Sequence, residues 1–147
     1  MLNMIMSSSL VSLINFGIHA VMTGLIVVVT RRIAGRTDDL HVFMRLSSLL
    51  LITVVVLMLT HVAEIWVWTV YYQWVGATIH NAEPFEFAFE NYTALGYGDV
   101  LPATPFRLIG PITALNGLLL MGWSVAIIFE VMKMADVQVG RRERPSR

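Results

Sequence analysis

The sequence predicts an all-α integral membrane protein with three transmembrane helices, one re-entrant half-helix and a non-helical loop behind it. Composition is the first reason. Of 147 residues 56% are hydrophobic and only 14% are charged, whereas ordinary soluble domains carry about a quarter charged residues. A soluble fold of this length cannot hide so much apolar surface. The second reason is that three apolar runs reach the ~20 helical residues needed to cross a hydrocarbon core of about 30 Å. The third is the segment between the second and third runs, where a short helix signal is followed by alternating glycines.

The first span is expected over about Leu10 to Thr30. It does not read as a signal peptide, because residues 1–9 carry no Lys or Arg and the apolar run ends in Arg31-Arg32, the reverse of a signal's polarity. Asn15, His19 and Thr23 recur at i, i+4 and i+8 with Gly17, Ala20 and Gly24 nearby, a face suited to helix packing. A catalytic or transport role is the other reading of that stripe.

The second span is expected over about Phe43 to Tyr72 and the third over about Phe106 to Met134. Arg31, Arg32, Arg36 and Arg45 lie between spans one and two. Lys133, Arg141, Arg142, Arg144 and Arg147 follow span three, and only Arg107 lies between spans two and three. The positive-inside rule then puts the first loop and the C-terminus in the cytoplasm, and the N-terminus and residues 73–106 outside. Trp66, Trp68, Tyr71, Tyr72 and Trp74 at the outer end of span two are expected to form an interfacial aromatic belt.

Residues 83–92 predict a helix of about 15 Å, half a membrane. Asn81 is its expected cap, Pro84 sits in the first turn where its missing N–H costs nothing, and Glu83 and Glu86 favour the positive end of the dipole. Its C-terminus points into the membrane and leads into Thr93-Ala94-Leu95-Gly96-Tyr97-Gly98-Asp99. Non-helical backbone at membrane depth is tolerated only where it lines a cavity or is buried in protein. Alternating glycines let successive carbonyls face one way, and rings of carbonyls can replace the hydration shell of a cation. One loop provides one wall, so the subunits are expected to close around a four-fold axis.

These residues resemble the potassium channels built from two transmembrane helices around a re-entrant pore loop. The resemblance covers about residues 44–134. Leu95-Gly96-Tyr97-Gly98-Asp99 is similar to the filter core, Thr93 to the filter's first threonine, and Glu90 to a buried glutamate that some bacterial members pair with the aspartate at the position of Asp99. Pro102 and Arg107 fit the descent into the inner helix, and Gly117 and Gly122 its hinge region. The resemblance divides the chain into an extra N-terminal helix with a basic cytoplasmic linker (1–43), the pore unit (44–134) and a short basic cytoplasmic tail (135–147). It implies ion binding by Thr93, Ala94, Leu95, Gly96, Tyr97 and Gly98, with Glu90 and Asp99 as filter support. Three departures stand out: Ala94 replaces the second filter threonine, Leu95 replaces valine, and Glu86 and Phe87 occupy positions that are often aromatic. With threonine at position 94 the innermost ion site is expected to be stronger.

Other polar residues at membrane depth are functional candidates by default. His61 and Glu64 lie one turn apart on span two, and proton sensing or a buried docking pair fits them. A metal site needs more ligands than these two. Asn116 can face the pore cavity or bond across helices. Glu130 can ring the inner mouth and concentrate cations, or pair with Lys133.

The expected function is therefore passive potassium conduction by a homotetramer in the cell (inner) membrane. K+ ions in the filter are its only cofactor and metal, and membrane lipids and monovalent cations its partners. Three alternatives stay open: a weakly selective cation channel, because of Ala94, a non-conducting channel relative, and a three-span membrane enzyme using His61, Glu64, Glu90 and Glu130 as acid–base groups. Cysteine is absent, which excludes disulfides, thiolate metal sites and a thiol nucleophile. No ATP site, catalytic triad, nucleic-acid patch or row of voltage-sensing arginines is legible.

Overall fold

The computed structural model describes residues 2–34, 42–78, 83–96, 101, 102 and 104–142. The described residues form four α-helices and a 3-10 turn: α1 Leu2–Ala34, α2 Val42–Val75, α3 Pro84–Tyr92, the turn at Thr104–Phe106, and α4 Ile109–Arg142. No strand occurs among the described residues. Helices α1, α2 and α4, of 33, 34 and 34 residues, are each about 50 Å long. All three are long and apolar enough to cross a membrane. The protein is an all-helical, multi-pass membrane protein.

The helices overrun the expected spans. Helix α1 begins at Leu2, and α4 continues to Arg142, through part of the segment expected to be a tail. Helix α3 starts at Pro84, with Glu83 as N-cap (φ −67°, ψ 117°) and no side-chain cap bond. The cap is therefore not Asn81, which lies outside the described residues. Pro84 occupies the first helical position, where its locked φ suits the helix start.

Helices α2 and α4 form a central pair, and α1 and α3 each pack against both. Two apolar clusters result. The first is rich in aromatics and gathers Ile65, Trp68, Tyr71, Tyr72, Phe87, Tyr92, Ile109 and Leu120. The second gathers Ile26, Leu49, Leu57 and Val131. A layer of buried polar side chains (Asn15, His19, Glu64 and Ser124) falls between them along the helices, and buried Asn116 lies within the aromatic cluster, between Ile109 and Leu120 of α4. Meanwhile Leu13, Val21, Leu51, Val55, Met58, Leu115, Leu118 and Phe129 are exposed. Polar inside and apolar outside is the arrangement that lipid rewards. Buried threonines are satisfied locally: Thr53, Thr60, Thr69 and Thr113 each donate to the carbonyl four residues back at 2.8–2.9 Å.

The expected aromatic belt is only half a belt. Trp66 and Trp74 are exposed, but Trp68 and Tyr72 are fully buried and Tyr71 nearly so. Residues 68, 71 and 72 share the helix face turned toward α1 and α4, and each buried polar tip finds a partner there. Trp68 Nε1 donates to Asn116 Oδ1 at 2.9 Å, Tyr72 OH pairs with Thr113 Oγ1 at 2.6 Å, and Tyr71 OH pairs with Ser7 Oγ at 2.8 Å. On α1 the stripe Asn15, His19, Thr23 is buried as expected of a packing face, while Gly17, Ala20 and Gly24 are exposed and do not contribute to it.

Candidate functional site

Helix α3 is placed by its apolar side. Phe87 and Ala88 are buried, and Phe87 stacks on Tyr72 with ring centroids 5.2 Å apart. Glu86 is exposed on the opposite side. The inner helix comes extremely close. A Cβ on Gly117 would lie 1.9 Å from the Tyr92 carbonyl oxygen, so only glycine lets α4 meet the end of α3 backbone to backbone. That approach accounts for Gly117, whereas Gly122 has nothing within 4 Å and α4 runs unbroken through both.

The chain leaves α3 through a Schellman turn. The N–H of Leu95 donates to the Glu90 carbonyl and that of Ala94 to the Asn91 carbonyl, both at 3.1 Å. The residue between them and the helix, Thr93, is still right-handed (φ −81°, ψ −5°). Ala94 then takes φ 55°, the left-handed position that such turns usually give to glycine. The same turn ends α2, where Gly76 (φ 67°) fills that place. Gly96 is left-handed again, with φ 59°. A methyl group in this region costs about 1–2 kcal/mol, and a β-branched residue is a genuine outlier there. Threonine at position 94 thus carries a backbone cost that its hydroxyl must offset.

Ala94, Leu95 and Gly96 are exposed on the single subunit. A cleft of about 480 Å³ opens beside them, lined by Glu90, Asn91, Leu101, Pro102 and Arg107 among others. Tyr97, Gly98 and Asp99, and with them the expected Glu90–Asp99 pairing, lie outside the described residues. Glu130 and Lys133 are both exposed, and among the described residues they form no ion pair with each other.

Behind this loop lies a second polar centre, built around Glu64 of α2. Its carboxylate is fully buried. His19 Nδ1 of α1 lies 2.9 Å from Oε1, His61 Nδ1 lies 3.0 Å from Oε2, and Tyr92 OH of α3 also donates to Oε2. His61 Nδ1 is in addition 2.8 Å from Tyr92 OH. Ser124 Oγ of α4 lies 2.9 Å from His61 Nε2 and 3.4 Å from His19 Nε2. All four helices meet here. One turn outward, Asn116 Oδ1 accepts from both Trp68 Nε1 and Asn15 Nδ2, the latter at 3.1 Å, and Asn15 Nδ2 also reaches the Glu64 carbonyl at 3.2 Å. Asn116 therefore bonds across helices. Sequence reasoning singled out His61 and Glu64 but missed His19, Tyr92 and Ser124 as their partners. The buried stripe on α1 was the available signal for His19, while Tyr92 and Ser124 had none.

Comparison with known proteins adds one finding. No curated protein and no solved structure gives a match. The ion channel family Ion_trans_2 does, over residues 44–134. That stretch contains α2, α3, the loop behind it and most of α4, and leaves α1 outside. It spans more than half of the chain and describes channels rather than enzymes, so the catalytic alternative is set aside. The chain belongs to the ion channel family, with an additional N-terminal membrane helix.

Proposed function

We propose that this chain is one subunit of a homotetrameric potassium channel of the cell (inner) membrane, passing K+ through four copies of the Thr93–Gly98 loop. The observation that carries the reading is how α3 ends. The helix is clamped by Gly117 at Tyr92 and hands over directly to backbone with positive φ at Ala94 and Gly96, two residues apart. Left-handed residues in alternation turn successive carbonyls toward one side, which is the requirement for coordinating a dehydrated cation. The negative end of the α3 dipole adds to the attraction. The exposure of Ala94, Leu95 and Gly96, and of Leu115, Leu118 and Leu119 on α4, supports a surface covered by neighbouring subunits. In this reading residues 31–45 and the C-terminal segment are cytoplasmic, and Glu90 with Asp99 steadies the outer filter.

A second reading has its own observation. Ala94 offers a carbonyl but no hydroxyl at the cavity end of the filter, which weakens the innermost site and favours a less selective cation pore. Reconstitution in liposomes with opposed K+ and Na+ gradients tests both. A reversal potential close to that of potassium supports the first reading, and equal permeability supports the second. Absence of any cation flux refutes both.

A further inference from the structure

The channel reading gives no task to the polar centre that joins the extra helix to the pore unit. We propose that His19 Nδ1, His61 Nδ1 and the Glu64 carboxylate bind a divalent transition-metal ion of the zinc type, with Ser124 orienting both imidazoles. An ionised carboxylate only accepts, a neutral imidazole has one donor and one acceptor nitrogen, and a serine hydroxyl has one proton and two lone pairs. Suppose both histidines carry their proton on Nδ1. Glu64 then receives both, but the two Nε2 lone pairs at 2.9 and 3.4 Å compete for the single Ser124 proton, and one is left facing oxygen. Suppose instead that both carry it on Nε2. Ser124 Oγ then accepts two donors and every Nε2 is satisfied. Both Nδ1 lone pairs are now aimed at the carboxylate, and the positive charge missing between them is one that a further proton or a bound metal ion would supply. This second arrangement is the outer shell that metal-binding histidines ordinarily have, with the far ring N–H fixed by a protein acceptor.

The electrostatics favour a positive charge in the same place. Glu64 is fully buried within a helix of membrane-spanning length, where an uncompensated carboxylate is costly. No Lys or Arg is paired with it; its charged-group partners among the described residues are His19 and His61. The geometry admits an ion. One ligand atom from each of the three residues lies within 4.8 Å of the other two, and the two rings are 5.3 Å apart, centroid to centroid. Zinc bonds of about 2.0–2.1 Å in a tetrahedral site separate neighbouring ligands by roughly 3.4 Å. His19 Nδ1 and His61 Nδ1 lie 2.9 and 3.0 Å from different oxygens of the one carboxylate, and these separations need to open by about 0.4–0.5 Å to admit the ion. Two histidines and one glutamate form a three-ligand zinc set that leaves a fourth position. Tyr92 OH, 2.8 Å from His61 Nδ1, stands beside that position. The ion would then tie α1 to the pore unit one residue before Thr93.

The test uses the full chain, purified without a polyhistidine tag, stripped with chelator and titrated with Co2+ and then Zn2+. Binding is read directly and needs no flux, so it stands or falls apart from the channel reading. Expected is one Co2+ per subunit with the intense visible absorption of a four-coordinate ion, displaced by Zn2+, with protons released on binding. His19→Gln and Glu64→Gln should remove the absorption. Ser124→Ala keeps every ligand and should weaken binding about 10–100-fold. The proposal is overturned if the stripped wild-type protein binds neither ion, or if binding is unchanged in His19→Gln and Ser124→Ala. It is equally overturned if imidazole nitrogen NMR finds a histidine of this centre still doubly protonated in excess Zn2+, since a proton then fills the cation position.

Discussion

Substituting Gly117 by alanine adds one methyl group where the structure has no room for it. The new Cβ would lie 1.9 Å from the carbonyl oxygen of Tyr92, 2.9 Å from its carbonyl carbon and 3.1 Å from its Cδ1. To reach even 3.0 Å from the oxygen, α4 and the end of α3 must part by about 1.1 Å. The obstacle is backbone and cannot swing aside. Overpacking a core usually costs about 1–3 kcal/mol, and backbone opposition places this case at the upper end. Alanine returns about 0.5–1 kcal/mol of helix propensity. The net expectation is a loss of roughly 2 kcal/mol, which lowers the unfolding midpoint by about 4–8 °C. Gly122→Ala is the control on the same helix. With nothing within 4 Å of its Cβ in the subunit, it gains the propensity term without the clash. The two variants should differ in sign when unfolding is followed in the same detergent. Gly117→Ala should also reduce liposome flux, because the displacement is delivered one residue before Thr93. If Gly117→Ala matches wild type in both midpoint and flux, the backbone contact is absent and the placement of α3 is wrong.

Four further expectations follow from the loop, the buried polar layer and the channel reading. Ala94→Gly should stabilise the subunit by about 0.5–1 kcal/mol, since it removes a left-handed alanine at the cost of glycine's chain entropy. Ala94→Thr should strengthen ion density at the innermost filter position but lower the unfolding midpoint relative to Ala94→Gly, because a β-branched residue resists positive φ. Reversal potentials and thermal unfolding of both proteins check the pair. Asn116→Leu should cost about 2 kcal/mol or more, because it strips the acceptor from the buried Trp68 Nε1 and Asn15 Nδ2. Adding Trp68→Phe should recover part of that loss, and strict additivity in the double-mutant cycle would refute the shared acceptor. Finally, the purified protein should have the mass of four subunits under conditions that preserve flux; a conducting monomer or dimer would rule out the four-walled filter.

The three spans and the half-helix were legible in the sequence because their causes are local. Apolar length selects membrane helices, Pro84 and the first-turn acids mark where a helix starts, and two nearby glycines announce backbone that leaves it. The family resemblance rests on the same contiguous residues, 44–134, that the family comparison matched. Tertiary structure alone decided which way side chains face. Trp68 and Tyr72 have the composition of an interfacial belt, but they are core residues because α1 and α4 supply Asn116 and Thr113 to their polar tips. Gly117 resembles Gly122 in every local respect, and only the approach of the Tyr92 carbonyl separates them. Glu64 reads as half of an i, i+3 pair with His61, yet its closest histidine is His19, on a different helix and far away in the chain. No periodicity within one helix carries that pairing. It arises because an ionised side chain in lipid must find its partners inside the bundle, and the bundle exists only once all four helices have packed.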